Sequence, residues 1–326
     1  MKNKLTLLTA MVMLLFACKK ESGVKTVKDA ATTKKSYAVG FNVSGFTENS
    51  TSLSTNAVRA KTTAALKDQI KFLYYYIFTR DDNGTYTEVS KGVQKSTDSN
   101  LGAIKDTLQA GHYTVFFIGT QAPGHYEFKF KSSALYADPI FYYDDKSVYE
   151  TFLKTMEFDV NGTLTQAVEL KRVVTELSVK IIDALPANAK TLRLSFEDYS
   201  VGLDPNLGVG EAHAHNQDEP WATATVSFPI SSTDIGKSGF TVDKFLWEYR
   251  YPNIVIDCLD AEGKVIATKS LPKNYFDFAV QLLNNTHYTY SGALFNNNTA
   301  NFNISIDDKW NTPLNGTFSL VPVKKN

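Results

Sequence analysis

A chain of 326 residues is long for one average domain and comfortable for two of roughly 150 residues each. Its 34 basic and 34 acidic side chains balance to a formal charge of zero, so it has no cationic excess for nucleic-acid binding, and nucleic acid is not an expected partner. Two cysteines exclude a disulfide-built scaffold, while 21 Phe and 17 Tyr suit half-buried pleated surfaces.

The first segment reads as a signal peptide. Lys2 and Lys4 make a basic start, residues 5–16 are an uncharged run, and Leu15-Phe16-Ala17-Cys18 has the form of a bacterial lipobox, departing from the usual pattern at Phe16. The run is shorter than the roughly 20 apolar residues that cross a bilayer. The expectation is cleavage between Ala17 and Cys18, with acylation of the Cys18 sulfur and palmitate-type chains tethering the protein to a membrane. Removing 17 residues leaves 309, and the loss of Lys2 and Lys4 leaves 32 basic against 34 acidic groups, a formal charge of −2. Only Cys258 then remains free, so no intramolecular disulfide is possible. Residues 19–35 are rich in Lys, Thr, Ala and Ser and bury too little to order themselves, which makes residues 18–35 a flexible tether.

Tyr37, Val39, Phe41 and Val43 then alternate with small or polar residues, the period of a strand with one face on a core, and Gly45 can break it as a bulge. Residues 47–63 are polar and read as a long crossing. Residues 70–78, with Tyr74, Tyr75 and Tyr76 at the centre, suit a strand covered on both faces. Asp81-Asp82-Asn83-Gly84 predicts a turn, with residues 86–93 returning as the hairpin partner. Leu108-x-x-Gly111-x-Tyr113 before Val115-Phe116-Phe117-Ile118 has the spacing of a tyrosine corner, in which a glycine eases the bend and the hydroxyl bonds back to upstream backbone. Ser147 as N-cap, Glu150 at the capping-box offset and the stripe Val148, Phe152, Met156 predict a helix over residues 147–156.

A second domain is expected from residue 171. Leu177, Val179 and Ile181 alternate, as do Leu192, Leu194 and Phe196 beyond Pro186; residues 202–220 make a long polar excursion. Strands follow over residues 223–228, 254–259 and 265–271, the last two joined across Asp260-Ala261-Glu262-Gly263. Leu283-x4-Tyr288 repeats the interval of Leu108-x4-Tyr113, with Asn285 near the place of the glycine, and suggests two related sandwiches. Phe302, Ile304 and Ile306 alternate, and residues 316–323 make a final strand. The fold class expected is all-β: two tandem Greek-key β-sandwiches, residues 36–170 and 171–326, with a short helix near the junction.

Chemistry-bearing residues are sparse. His213-x-His215, with Glu211, Asp218 and Glu219 nearby, could share an ion, yet no third ligand has recognisable spacing and a solvated loop is the simpler reading. His112 and His287 sit at the two corners and read as structural, and Cys258 as a small hydrophobe. No nucleophile elbow, phosphate loop or zinc-protease helix occurs, and Asp144-Asp145 and Asp307-Asp308 read as turn residues, so neither catalysis, a metal nor another cofactor is expected.

Taken in order, the lipobox, the polar leash, Tyr37-Ala-Val-Gly-Phe-Asn-Val-Ser-Gly-Phe46, Leu101-Gly-Ala-Ile-Lys-Asp-Thr-Leu108 with Gly111-x-Tyr113, Ile140-Phe-Tyr-Tyr143, Val168-Glu-Leu-Lys-Arg-Val-Val174 and Tyr288-x-Tyr-x-Gly-x-Leu-Phe295 resemble the fimbrillin-related anchor lipoproteins of type V pili. The resemblance implies transthyretin-like sandwiches, an outer-membrane location, and fimbrial subunits as partners joined by strand insertion. It also implies that polymerising relatives are cleaved after an arginine, for which Arg59 is the candidate here, whereas an anchor keeps its tether at Cys18. A different class of function is a surface lipoprotein binding glycans or peptides through Trp221, Trp247 and Trp310.

Overall fold

A computed structural model describes residues 35–46, 65–130, 137–145, 147–197, 200–210, 224–248, 253–271, 281–296 and 302–307. All of these but Lys35 belong to the second of two units into which the chain divides, residues 36–326. In chain order the elements are β1 (Ser36–Phe46), α1 (Leu66–Gln69), β2 (Phe72–Arg80), β3 (Tyr86–Lys95), β4 (Ala103–Gln109), β5 (Gly111–Thr120), β6 (Gly124–Phe130), β7 (Ala137–Tyr143), β8 (Thr151–Val160), β9 (Leu164–Arg172), β10 (Val174–Ile181), β11 (Thr191–Phe196), β12 (Gly202–Asp204), β13 (Val209–Gly210), β14 (Ala224–Pro229), β15 (Phe240–Trp247), β16 (Ile254–Leu259), β17 (Val265–Ser270), β18 (His287–Gly292) and β19 (Asn303–Asp307). The described residues are thus nearly all β, with one short helix.

Hydrogen bonding orders these strands into one seven-stranded sheet, β3-β2-β5-β8-β9-β1-β4, and three four-stranded sheets, β15-β10-β18-β19, β14-β11-β16-β17 and β13-β12-β7-β6. The seven-stranded sheet folds over its own core. Its outer strands β3 and β4 are consecutive in the chain, and Ser90 hydrogen-bonds Asp106 across them, while the Gln94 amide donates to Asn100 O and Ala103 O at 3.1 and 3.0 Å. Inside lie Val39, Phe41 and Val43 of β1 with Leu73, Ile77, Val115, Phe117 and Phe158.

Alternation explains both faces of β2. Leu73 and Ile77 point to that core, while Tyr74, Tyr76 and Phe78 point to a second cluster on the opposite face, as expected of a strand covered on both sides. The two predicted hairpins use the same turn chemistry. Asp81 Oδ1 accepts the Asn83 and Thr85 N–H groups at 3.0 and 2.7 Å, and Asp260 Oδ1 accepts those of Glu262 and Lys264 at 3.2 and 2.8 Å. In each the glycine takes a positive φ, 87° at Gly84 and 80° at Gly263.

The strand pairing of the first half recurs in the second. β1 lies between β4, antiparallel, and β9, parallel; β10 lies likewise between β15, antiparallel, and β18, parallel. Similarly β3-β2-β5-β8 matches β14-β11-β16-β17 in order. The tyrosine pair fits this repeat. Tyr113 donates its hydroxyl proton to Gln109 O at 2.9 Å, and the Tyr288 hydroxyl accepts from the Leu283 N–H at 3.1 Å. Gly111, however, does not take a positive φ, and an added Cβ would stand at an ordinary 3.6 Å from the Tyr113 ring, so the first corner does not depend on glycine. At the second corner Asn285 does adopt the left-handed conformation, with φ 55°.

One expectation is overturned. Residues 147–150 are irregular and residues 151–160 form β8, paired antiparallel with β5 from Thr120↔Thr151 to Gly111↔Val160. The spacing of Val148, Phe152 and Met156 is four residues, which a helix satisfies and which an extended strand also satisfies, since four is a multiple of two. The helix that does form among the described residues is α1, far from the junction and a single turn long. The predicted strand at residues 316–323 lies outside the described residues.

Candidate functional site

Two features stand out: the slot that holds β1, and the seam between the halves. In the slot, Phe41 is fully buried with its ring 5.0 Å from Phe117 and 5.4 Å from Phe158, centroid to centroid. The register with β9 shifts between Val43 and Gly45, the bulge that Gly45 suggested. Ala38, Asn42 and Ser44 face out. A segment that comes immediately after the predicted tether is therefore an interior strand, hydrogen-bonded along both of its edges.

The seam is built from strands of both halves. β12 and β13, which arise between β11 and β14, pair with β7 and through it with β6, so the polar excursion of residues 202–220 contributes buried Leu203 and Asp204 to a sheet begun by the first half. Beneath it lies an aromatic cluster. Tyr74 and Tyr76 stack at 6.2 Å, Phe141 packs 5.5 Å from Tyr74, and Tyr143 stacks on Trp247 at 6.1 Å with ring planes 10° apart. Trp247 is buried there and is not a surface platform for sugars. Arg172, with its side chain 7% exposed, ties the seam electrostatically: Nε and Nη2 donate to Glu150 Oε1 at 3.0 and 2.6 Å, and Nη1 to Asn285 Oδ1 at 3.0 Å. Sequence reasoning noted Arg172 within a motif but not this role, because Asn285 is 113 residues away.

The other singled-out residues are dispersed. His112 Nδ1 is 2.8 Å from Asp159, on the exposed face of β5. His287 Nε2 is 2.8 Å from Ser178 Oγ, but that hydroxyl donates its proton to Asp243 Oδ1 at 2.5 Å, so the imidazole is the donor toward it and not a base drawing its proton away. Ser178 is also buried. His125 Nδ1 lies 2.9 Å from Asp144, a hydrogen bond that raises the imidazole pKa above its ordinary value. Burial pushes the Cys258 thiol up to about 11, which keeps it protonated and unreactive. Among the described residues no group of three or more His, Cys, Asp or Glu side chains could hold a metal ion. Among the described residues, too, no helix is long and apolar enough to cross a membrane. Ala17, Cys18, Arg59, His213, His215, Trp221 and Trp310 lie outside the described residues.

Three of the strands at sheet ends among the described residues, β3, β14 and β15, carry devices that discourage unplanned pairing. β3 has a bulge where its register shifts opposite Ile77 and Phe78, β14 ends in Pro229, and on β15 Lys244 shares a face with buried Val242 and Leu246, where burial lowers its pKa.

No family model matches the chain, and no curated protein matches it by sequence. Among solved structures it is similar to the fimbrial anchor protein Mfa2 from Porphyromonas gingivalis, at 14% identity and a TM-score of 0.42 over 84% of this chain and 98% of that one. It is also similar to the tip fimbrial protein Mfa3 of the same organism, at 12% identity and a TM-score of 0.41 over 83% and 99%. A third similar structure is a candidate adhesin from Bacteroides ovatus, at 10% identity and a TM-score of 0.46 over 78% and 87%.

Proposed function

We propose that the protein is a non-enzymatic pilus subunit, tethered to the outer membrane through acylated Cys18 and exposed at the cell surface, which serves as fimbrial anchor or accessory subunit. In this reading residues 36–170 and 171–326 are two tandem transthyretin-like Greek-key sandwiches, which the recurrence of strand order supports. The observation that carries the proposal is the seat of β1. The strand that follows the tether is locked into the core through Val39, Phe41 and Val43, so pull on the lipid is transmitted to the body of the protein and not to a dangling tail. Burying three such side chains is worth roughly 1.5–3 kcal/mol each.

Neighbouring fimbrial subunits are joined by β-strand addition. Among the described residues β3, β14 and β15 are guarded, and β6 and β19 stand at the ends of their sheets, where a neighbour's extended segment would pair through main-chain hydrogen bonds. Cleavage at Arg59 would separate β1 and its lipid from the rest, which an anchor avoids; intact mature protein beginning at Cys18 is the expected species. The test is fractionation of cells carrying the native chain or Cys18→Ser. The native protein should sediment with outer membranes and co-purify with a fimbrial shaft subunit, and Cys18→Ser should be shed together with that subunit. A Cys18→Ser chain that stays on the membrane, or a native chain that brings down no shaft subunit, would refute the proposal.

A further inference from the structure

β8 and β9 are partners over a very short length. They pair at Phe152↔Arg172 and Leu153↔Lys171. Elsewhere β8 keeps to β5 as far as Gly111↔Val160, while β9 runs parallel to β1 from Val39↔Leu164 to Phe46↔Leu170. Among the described residues, therefore, no strand pairs with the outer edge of β9 over residues 164–170.

The second half shows what fills the corresponding place. β18 stands to β10 as β9 stands to β1, parallel along one edge. On its other edge β18 carries β19, antiparallel from His287↔Asp307 to Ser291↔Asn303. That pairing sets Ile306 beside Tyr288 and Ile304 beside Tyr290, and each tyrosine is 2% exposed. Phe302, just ahead of β19, is buried against Gly292, where an added Cβ would stand 2.6 Å from its ring. Phe302, Ile304 and Ile306 are two residues apart, so one face of a single extended segment covers this side of the second core.

β9 lacks such a cover. The register Phe41↔Gln166 puts Leu164, Gln166, Val168 and Leu170 on the core face. Val168 and Leu170, towards the end where β8 joins, are 1% and 0% exposed, whereas Leu164 and Gln166 are only half-buried, as is Met156 of β8, which packs against the same core. The edge is also unguarded. β9 contains no proline, the register shift opposite it is a bulge of β1, and its inward side chains carry no charge, in contrast to β3, β14 and β15. An unguarded edge beside half-covered core residues favours capture of a further strand.

We propose that residues 164–170 of β9 accept an extended segment of another fimbrial subunit, antiparallel to β9, with apolar side chains at alternate positions as at Phe302, Ile304 and Ile306. β1 stays in its slot throughout. The identity of the donor rests on the pilus assignment; the acceptor rests on the comparison of the two halves alone. A second copy could offer β19 only by withdrawing it from its own sheet and uncovering Tyr288 and Tyr290, which makes the donor a different chain.

To test this, the full chain is titrated with a peptide of residues 301–308, whose alternation suits such an edge, and with the same residues in scrambled order, while amide hydrogen exchange locates the bound strand. The expected result is slowed exchange over residues 164–170 with millimolar ordered peptide and none with the scrambled one. Gln166→Lys aims a charge into the face that an added strand must cover and should weaken binding about tenfold or more, whereas Ala167→Lys, on the solvent face of the same strand, should leave it intact, with unfolding temperatures followed for both. Slowing at β18 only, equal slowing by the scrambled peptide, or undiminished binding by Gln166→Lys would each overturn the acceptor. Slowing over residues 164–170 that grows with protein concentration in the absence of peptide would make a second copy the donor and overturn its assignment to another subunit. Co-purification of a shaft subunit that survives Gln166→Lys would sink the acceptor and leave the pilus assignment standing; protection of β9 by the peptide in a protein that brings down no shaft subunit would do the reverse.

Discussion

Truncating Phe41 to alanine is the sharpest probe of the slot that holds β1. The side chain is fully buried, packs edge-on against Phe117 and Phe158, and sits on an interior strand that cannot shift register without moving Val39 and Val43 as well. Lost transfer energy and the cavity left behind put the loss at about 3–5 kcal/mol, of which each aromatic pair supplies roughly 0.5–1.5. Asn42→Ala, one residue on and facing solvent, should change stability by no more than about 0.5 kcal/mol. Urea unfolding followed by tyrosine and tryptophan fluorescence measures both, and native-state hydrogen exchange should show β1 amides of Phe41→Ala opening before those of β5. If Phe41→Ala costs under about 1 kcal/mol, the segment after the tether is not part of the core, and the mechanical role assigned to it fails with it.

Three further outcomes are expected. Arg172→Met strands Glu150 and Asn285 at the seam and should destabilise by about 2–4 kcal/mol, a loss partly restored by adding Glu150→Gln; additive effects in that double-mutant cycle would contradict the coupling. In the Cys18→Ser chain, Cys258 should fail to react with a disulfide reagent at pH 8 until the protein is unfolded, because burial holds the thiol at about 11. The hydrogen bond to Asp144 raises the folded-state pKa of His125 above the unfolded value of about 6.5, so its stabilisation is complete below that pH and fades as pH rises through the folded value. His125→Gln should therefore flatten the fall of melting temperature with rising pH from about 6 to 8, and an unchanged slope would count against the pair.

Much of the architecture is legible from local pattern because its causes are local. Alternation at Tyr37, Val39, Phe41 and Val43 reports one buried face of β1; Asp81 and Asp260 with their following glycines write the same hairpin turn twice; Leu-x4-Tyr marks two corners whose hydroxyls bond within five residues. Where pattern misled, at Val148, Phe152 and Met156, two periods coincide and only pairing with β5 chooses between them. β12 shows the stronger limit. Gly202, Leu203 and Asp204 sit in a stretch that reads as solvated loop, yet they are buried because Tyr142 and Phe141, some sixty residues earlier, offer them a strand to pair with.

Composition, turn residues and the period-two pattern thus settled that this chain is a β protein, where most of its strands run and which side of β1 is greasy, since each depends on neighbours within a few bonds. Which strands touch, that β1 lies between β4 and β9, and that Arg172 reaches Asn285, depended on the folded chain. Those contacts join segments up to 125 positions apart, and their energy exists only once long loops have been closed and both partners are already in place.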